Sequence, residues 1–475
     1  MLDRIEFWFL LVQLIFAGAF GACVGSLVNV LVYRLPLGLS VVTPPSRCPS
    51  CQTVLTWREN IPIFGWLLLR GRCRFCKASI SPEYPIVEAA VALVFVVVYF
   101  FWYCVPFPWV WPPSSSAVFL GIDWAKISPE WASQGFSASW PVFVVLMVLL
   151  GSLAAVLIVD AKTYTIPLQL VWFPSVVALL GHVGWAAWLS WSGRQLAHAP
   201  GWTWAIPTPG PIGWGAVGAA VGGIVGIGIG NILLSKGLIR RSFADYEAWE
   251  AQARAEAAET SAIQAPPAGD ATATPPAAVA PTGAEATPPT DSSPADLWIE
   301  YPHARREMFK ELVFLAPAIG LAFVGSWLAI RLAGPWTPGA TPISPGSPAH
   351  DVPLWLDVLA GVLLGYLIGG GVVWAVRILG SLLFGREAMG LGDVHLMAAV
   401  GACLGWIDST LAFFGAAFVG LLWWALGLIA RGVSARAMPY GPFLAVSTLL
   451  VILLKHPLER LFDLIAPAWA PWNLP

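Results

Sequence analysis

Apolar residues run through this chain in long blocks separated by short polar stretches. A spanning helix needs about 20 such residues to cross roughly 30 Å of hydrocarbon. Nine blocks of that length fall near residues 7–33, 86–107, 140–159, 166–191, 211–234, 312–333, 354–380, 410–430 and 441–455, and a tenth, near 394–405, is short. Because every backbone group must be satisfied within lipid, the pattern predicts an all-α polytopic membrane protein of about 8–10 membrane helices. The first block is long, lacks a basic n-region and an A-x-A site, and runs straight into Arg34, so we expect a retained helix rather than a signal peptide.

Composition agrees with the bilayer as the main solvent. Hydrophobic residues make up 57% of the 475 positions and charged residues 11%. A formal net charge of −2 argues against a nucleic-acid partner for the chain as a whole. Tryptophans such as Trp111, Trp140, Trp202 and Trp355 flank the apolar blocks, where amphipathic rings settle among headgroups.

The distribution of charge says more than its sum. Residues 34–85 hold Arg34, Arg47, Arg58, Arg70, Arg72, Arg74 and Lys77, whereas 108–139 holds only Lys126. The positive-inside rule therefore makes 34–85 cytoplasmic. Alternation then places 160–165, 235–311 and 381–393 inside, in agreement with Lys162, Lys236, Arg240, Arg241, Arg305, Arg306, Lys310 and Arg386.

The expected organisation is a first membrane helix at 1–33, a cytoplasmic metal-binding domain at 34–85, membrane helices over 86–234, a cytoplasmic linker at 235–311, further membrane helices over 312–455, and a tail at 456–475. Residues 250–296 are so rich in Ala, Pro and Thr that burial cannot offset their ordering entropy, which predicts disorder. Glycine-rich runs at 215–223 and from Leu359 resemble each other weakly, as a helix-pair duplication or two small-residue packing faces would.

Two CxxC knuckles, Cys48-Pro-Ser-Cys51 and Cys73-Arg-Phe-Cys76, are spaced as in a four-thiolate zinc ribbon. A cytoplasmic loop disfavours disulfides, so zinc is the expected occupant. Four thiolates fill a tetrahedron and leave no open position for substrate, which makes the metal structural. Cys23, Cys104 and Cys403 lie in apolar blocks and are expected to be small buried hydrophobes.

Catalytic chemistry is sought among acids at membrane depth, where ionisable groups are costly and usually functional. Asp160 closes the third long block just before Ile166-Pro167, and Asp393 closes Gly390-Leu-Gly-Asp393. Singly, these read as an interfacial loop acid and a helix N-cap. Together they fall on one predicted membrane face although 233 residues separate them. Two carboxylates meeting in a low-dielectric cleft share a proton and divide into an acid and a base, the arrangement of an aspartyl protease. Gly390 and Gly392 would allow the backbone to approach closely.

Further motifs extend the pattern: Gly25-Ser-Leu-Val-Asn29 running to Arg34-Leu-Pro36, the knuckles around Trp57-Arg-Glu-Asn60-Ile-Pro62, Gly71-Arg-Cys73, Ile80 to Glu88, Gly405-Trp406 and Tyr440-Gly-Pro442-Phe. In this order they resemble the bacterial type IV prepilin peptidases, bifunctional leader peptidases and N-methyltransferases of the GxGD-type membrane aspartyl proteases. The resemblance spans about 1–190 and 354–455. It implies that Asp160 and Asp393 are the catalytic pair, with Gly390 and Gly392 supporting them. It implies cleavage of prepilin and pseudopilin leader peptides of type IV pilus and type II secretion systems, at the cytoplasmic face of the inner membrane. It also implies S-adenosylmethionine-dependent methylation of the new N-terminus, for which Glu59 and Asn60 are only candidates and no donor site is assigned. Lys162 and Leu168 stand where the family often carries acids, and 211–353 reads as an insertion of two helices and a linker. These departures motivate the alternative of a non-catalytic zinc-ribbon scaffold in a pilus or secretion assembly. A transporter would require charges near mid-bilayer rather than at helix ends.

Overall fold

The computed structural model describes residues 2–104, 129–132, 135–192, 205–209, 213–252, 303–333, 352–431 and 439–458 apart from isolated positions, together with two short paired strands, Val118–Phe119 and Ile122–Asp123. The predicted disordered linker at 250–296, apart from its first residues, and most of the tail at 456–475 lie outside the described residues.

The helices are α1 (Leu2–Arg34), the short α2 (Phe64–Leu68), α3 (Glu83–Tyr99), α4 (Phe136–Thr163), α5 (Leu168–Ser192), α6 (Trp214–Ser235), α7 (Ala304–Ala333), α8 (Leu354–Phe384), α9 (Leu391–Leu404), α10 (Trp406–Arg431) and α11 (Gly441–Leu453). Among the described residues eight are long and apolar enough to cross a membrane, and α9 and α11 are shorter apolar helices. The protein is thus an all-α multi-pass membrane protein with a small four-cysteine domain between its first two spans. One expectation changes: the block at 441–455, counted among the long ones, forms a helix of only 13 residues, about 20 Å long, capped by Tyr440 and Leu454.

Glycine sets the close contacts. A Cβ at Gly21 would stand 2.8 Å from Ala92 Cα, and one at Gly25 2.6 Å from Glu88 Cα, so α1 and α3 pack backbone to backbone. The two glycine runs that resemble each other are both packing faces. Gly218, Gly222 and Gly226 face Gly325, Leu321 and Ala318 of α7, while Gly365 and Gly369 face Gly401 and Met397 of α9.

The 14-residue α9 is about 21 Å long, too short to cross a bilayer, and it is enclosed by the longer helices. Eleven of its residues are buried, Asp393 among them. Of the three apolar-block cysteines, Cys104 and Cys403 are buried as expected, whereas Cys23 is exposed. It lies on an outward flank of α1, where lipid rather than protein would cover a small apolar side chain.

Candidate active centre and metal centre

Asp160 lies in the last turn of α4 and is 5% exposed. The helix ends at Tyr164, which adopts a left-handed conformation (φ 56°) and donates its N–H to the Asp160 carbonyl at 2.9 Å. The carboxylate is therefore not a solvated loop group. Its Oδ2 accepts the backbone N–H of Gly441 at 3.1 Å, at the start of α11. A side chain at Gly441 would run into that oxygen.

Asp393 sits in the first turn of α9, 8% exposed. Gly390, not Asp393, occupies the N-cap position. The carboxylate instead turns back towards Gly390, with Oδ2 3.5 Å from where a Cβ at Gly390 would stand, the position of the third residue of a capping box. Asp393 is within electrostatic reach of Asp160, Arg377 and Tyr440. The two aspartates thus occupy one end of the helical bundle.

The two motif glycines play different parts. A Cβ at Gly392 would fall 3.1 Å from Ile166 Cβ, tight against the segment that follows Asp160. At Gly390 it would lie 3.5 Å from Asp393 Oδ2, an ordinary contact, and its φ of −69° needs no glycine. Gly392 is the one required by close approach.

Just before the motif, Arg377 of α8 forms a buried knot that sequence reasoning missed. Its Nη2 pairs with Glu311 Oε1 of α7 at 3.0 Å, with side chains 3% and 4% exposed. Trp374 Nε1 donates to Glu311 Oε2 at 2.7 Å. Arg377 Nη1 donates to the Met389 carbonyl and to Glu387, and its guanidinium lies 5.3 Å from the Phe243 ring centroid. The helix at 312–333, read as part of an insertion, is therefore tied to the residue preceding Gly390. A lone arginine inside the block 354–380 was a detectable signal, since intramembrane cations are as costly as acids. His182, fully buried, also went unnoticed. Its Nε2 meets the Cys403 carbonyl at 3.2 Å, joining α5 to α9.

Lys162, one of the departures, pairs with Glu83 at the start of α3. A cation there is thus matched by a carboxylate, and Leu168 is simply exposed.

The four cysteines come together as expected. Their Sγ atoms all lie within 4.8 Å of one another, with Cys48–Cys76 at 3.8 Å and Cys51–Cys73 at 4.0 Å. Zinc–sulfur bonds of about 2.3 Å give a tetrahedral edge of about 3.8 Å, so the donor set fits one tetrahedral ion. The knuckles share one backbone form. Cys48 N–H donates to Thr53 and Gln52 N–H to Cys48, and Cys73 N–H donates to Ala78 and Lys77 N–H to Cys73. Gln52 (φ 57°) and Lys77 (φ 60°) occupy the same left-handed position after each second cysteine. Hydrogen bonds from Thr53 bring the Cys51 thiol down to about 6. At Cys76 the Ala78 N–H acts the same way, but loss of water and the neighbouring thiols push it up to about 11.

The domain is anchored to the helices by motif residues. Glu88 Oε2 accepts the Ile63 N–H at 2.6 Å, Asn29 Nδ2 donates to the Tyr84 carbonyl at 3.1 Å, and Arg34 Nη1 donates to the Ser40 and Val41 carbonyls at 2.9 and 3.0 Å. Glu59 serves the domain itself, accepting Thr56 N–H at 2.8 Å and Arg74 Nη1 at 3.0 Å, while Asn60 is exposed. The Thr56 hydroxyl, then Arg74, holds Glu59 down at about 2.

Two family profiles match the chain: the Bacterial Peptidase A24 N-terminal domain over residues 19–102 and the Type IV leader peptidase family over 315–425. Over these stretches the chain is similar to the bacterial type IV prepilin peptidases. The second match contains Asp393 and Arg377 but not Asp160, and it begins in α7. Among curated proteins, a prepilin leader peptidase/N-methyltransferase of Myxococcus xanthus is 52% identical over 81 residues, 17% of this chain and 24% of that protein. One of Klebsiella pneumoniae is 44% identical over 82 residues, 16% and 36% of the two chains. A type 4 prepilin-like proteins leader peptide-processing enzyme of Escherichia coli is 38% identical over 100 residues, 17% and 37%. The matching part thus spans roughly a quarter to over a third of these relatives' own length. No solved structure matches.

Proposed function

We propose that the protein is a membrane-embedded aspartyl endopeptidase that removes the leader peptide of type IV prepilins and type II secretion pseudopilins at the cytoplasmic face of the inner membrane. The approach of Asp160 and Asp393 at one end of the bundle carries this reading. In the proposed mechanism one carboxylate is ionised and accepts a proton from the attacking water, while the other, protonated, donates to the scissile carbonyl oxygen. The Gly441 N–H engages one oxygen of Asp160, leaving the other for the water. The close seat of Gly392 against Ile166 keeps both acids in register, and burial excludes competing solvent.

The knuckle geometry supports zinc held by Cys48, Cys51, Cys73 and Cys76. The ion would supply folding energy to a domain with few buried side chains of its own and take no part in hydrolysis. N-methylation of the freed terminus, with S-adenosylmethionine as the donor, is the second activity that the relatives' names and the four-cysteine domain support.

The test is to incubate purified protein in detergent with a prepilin bearing its basic leader and to weigh the products. A single cut at the leader junction is expected. An intact prepilin with folded, zinc-loaded protein would favour a scaffold.

A further inference from the structure

At the end of the bundle that carries the aspartates, α6 and α7 leave their apolar stretches and, with the segment 237–245, line a half-open cavity of ≈ 750 Å³. The position is fixed by Arg305 at the start of α7, whose Nε donates to the Leu382 carbonyl near the end of α8 at 3.0 Å. Four cations line the cavity, Arg240, Arg241, Arg306 and Lys310, against two acids, Asp245 and Glu307. Glu307 is already engaged, by Lys310 at 2.7 Å and the Phe243 N–H at 2.8 Å. Arg240, Arg241 and Arg306 are exposed and have no carboxylate partner among the described residues.

The same helix ends carry exposed apolar side chains. Ile232 on α6 is 54% exposed, and Phe309 and Val313 on α7 are 61% and 55% exposed. A ligand for this place has an anionic head and an apolar body. Where apolar helices end, the surroundings are lipid headgroups, and basic pockets between helix ends at that level hold acidic phospholipids. A bare inorganic anion would leave most of the cavity empty, and nothing in it would use the apolar flanks.

We propose that this pocket binds the phosphodiester headgroup of an acidic phospholipid, with Arg240, Arg241 and Arg306 contacting the phosphate and the acyl chains lying along α6 and α7. The proposal does not depend on peptidase activity. It gives the inserted helix pair a role of its own, and Lys310, Glu307 and Phe243 lead from the pocket to Arg377 and the loop before Gly390.

The test reconstitutes the whole protein in nanodiscs of phosphatidylcholine with increasing phosphatidylglycerol, and counts the lipids retained per chain after transfer to detergent by native mass spectrometry. Wild type should retain phosphatidylglycerol and release phosphatidylcholine. The triple variant Arg240→Gln, Arg241→Gln, Arg306→Gln should retain it at least about tenfold less, since each cation near an anionic surface contributes measurably. The triple Arg→Lys variant should keep most of the binding. These side chains are exposed, so helix packing is preserved, and unchanged zinc content verifies folding. Equal retention by wild type and the Gln variant would overturn the proposal. So would inorganic phosphate displacing the lipid at low millimolar concentration, because the site would then belong to a soluble anion.

Discussion

Asp160, at the end of α4, accepts the backbone N–H of Gly441 at 3.1 Å across 281 residues of chain. The contact depends on Gly441 having no side chain, since a Cβ would collide with the carboxylate. Gly441→Ala should therefore displace Asp160 while leaving α11 otherwise helical. A shift of about 1 Å in a catalytic group can cost about 10²-fold. Prepilin cleavage by the purified variant should fall by about that factor, with expression and zinc content unchanged.

The Arg377–Glu311 pair makes a stability prediction. Removing one partner of a buried pair strands the other charge and costs about 3–5 kcal/mol. Glu311→Gln or Arg377→Met should lower the thermal unfolding midpoint in detergent sharply. The double variant Glu311→Leu, Arg377→Met should recover much of that stability but not cleavage, because the Met389 carbonyl loses its donor.

For the four-cysteine domain, about one zinc per chain is expected by elemental analysis. Cys48→Ser should lose most of it, together with the docking of Ile63 on Glu88, read as faster proteolysis within 34–85. Full zinc occupancy in Cys48→Ser would rule out the four-thiolate site.

Glu59 predicts a pH dependence. The Thr56 hydroxyl, then Arg74, holds its carboxyl down at about 2 against an ordinary 4.5. A depressed carboxylate contributes stability that is fully present above its unfolded value and lost as pH falls through its folded value. The stability difference between wild type and Glu59→Gln should therefore be constant above about pH 5. It should shrink as pH falls towards 2. A difference that grew on acidification would contradict the assignment.

Much of this was legible in the chain itself. Block lengths gave the long spans because hydrocarbon thickness sets them, and the cysteine spacing gave the four-thiol cluster because a knuckle is a local structure. The aspartates stood out as acids at the ends of apolar blocks. What stayed hidden depended on tertiary approach. Nothing local marks Gly441 as the donor to Asp160, or α7 as the source of Glu311. Arg377 was legible as the one arginine within the apolar block 354–380, but not its partners, which come from other elements. The N-cap reading of Asp393 erred by three residues, since Gly390 can begin the helix and leave the carboxylate free to turn back.

The central claim is that Asp160 and Asp393 act as one unit, and the measurement that tests it most directly is the cleavage rate of a prepilin by Asp160→Asn, Asp393→Asn and the double variant. Residues that act together are grossly non-additive. Each single variant is predicted to lose at least about 10⁴-fold, and the double variant to be no worse than either. Near-wild-type cleavage by either single variant, or losses that multiply in the double, would contradict a shared centre.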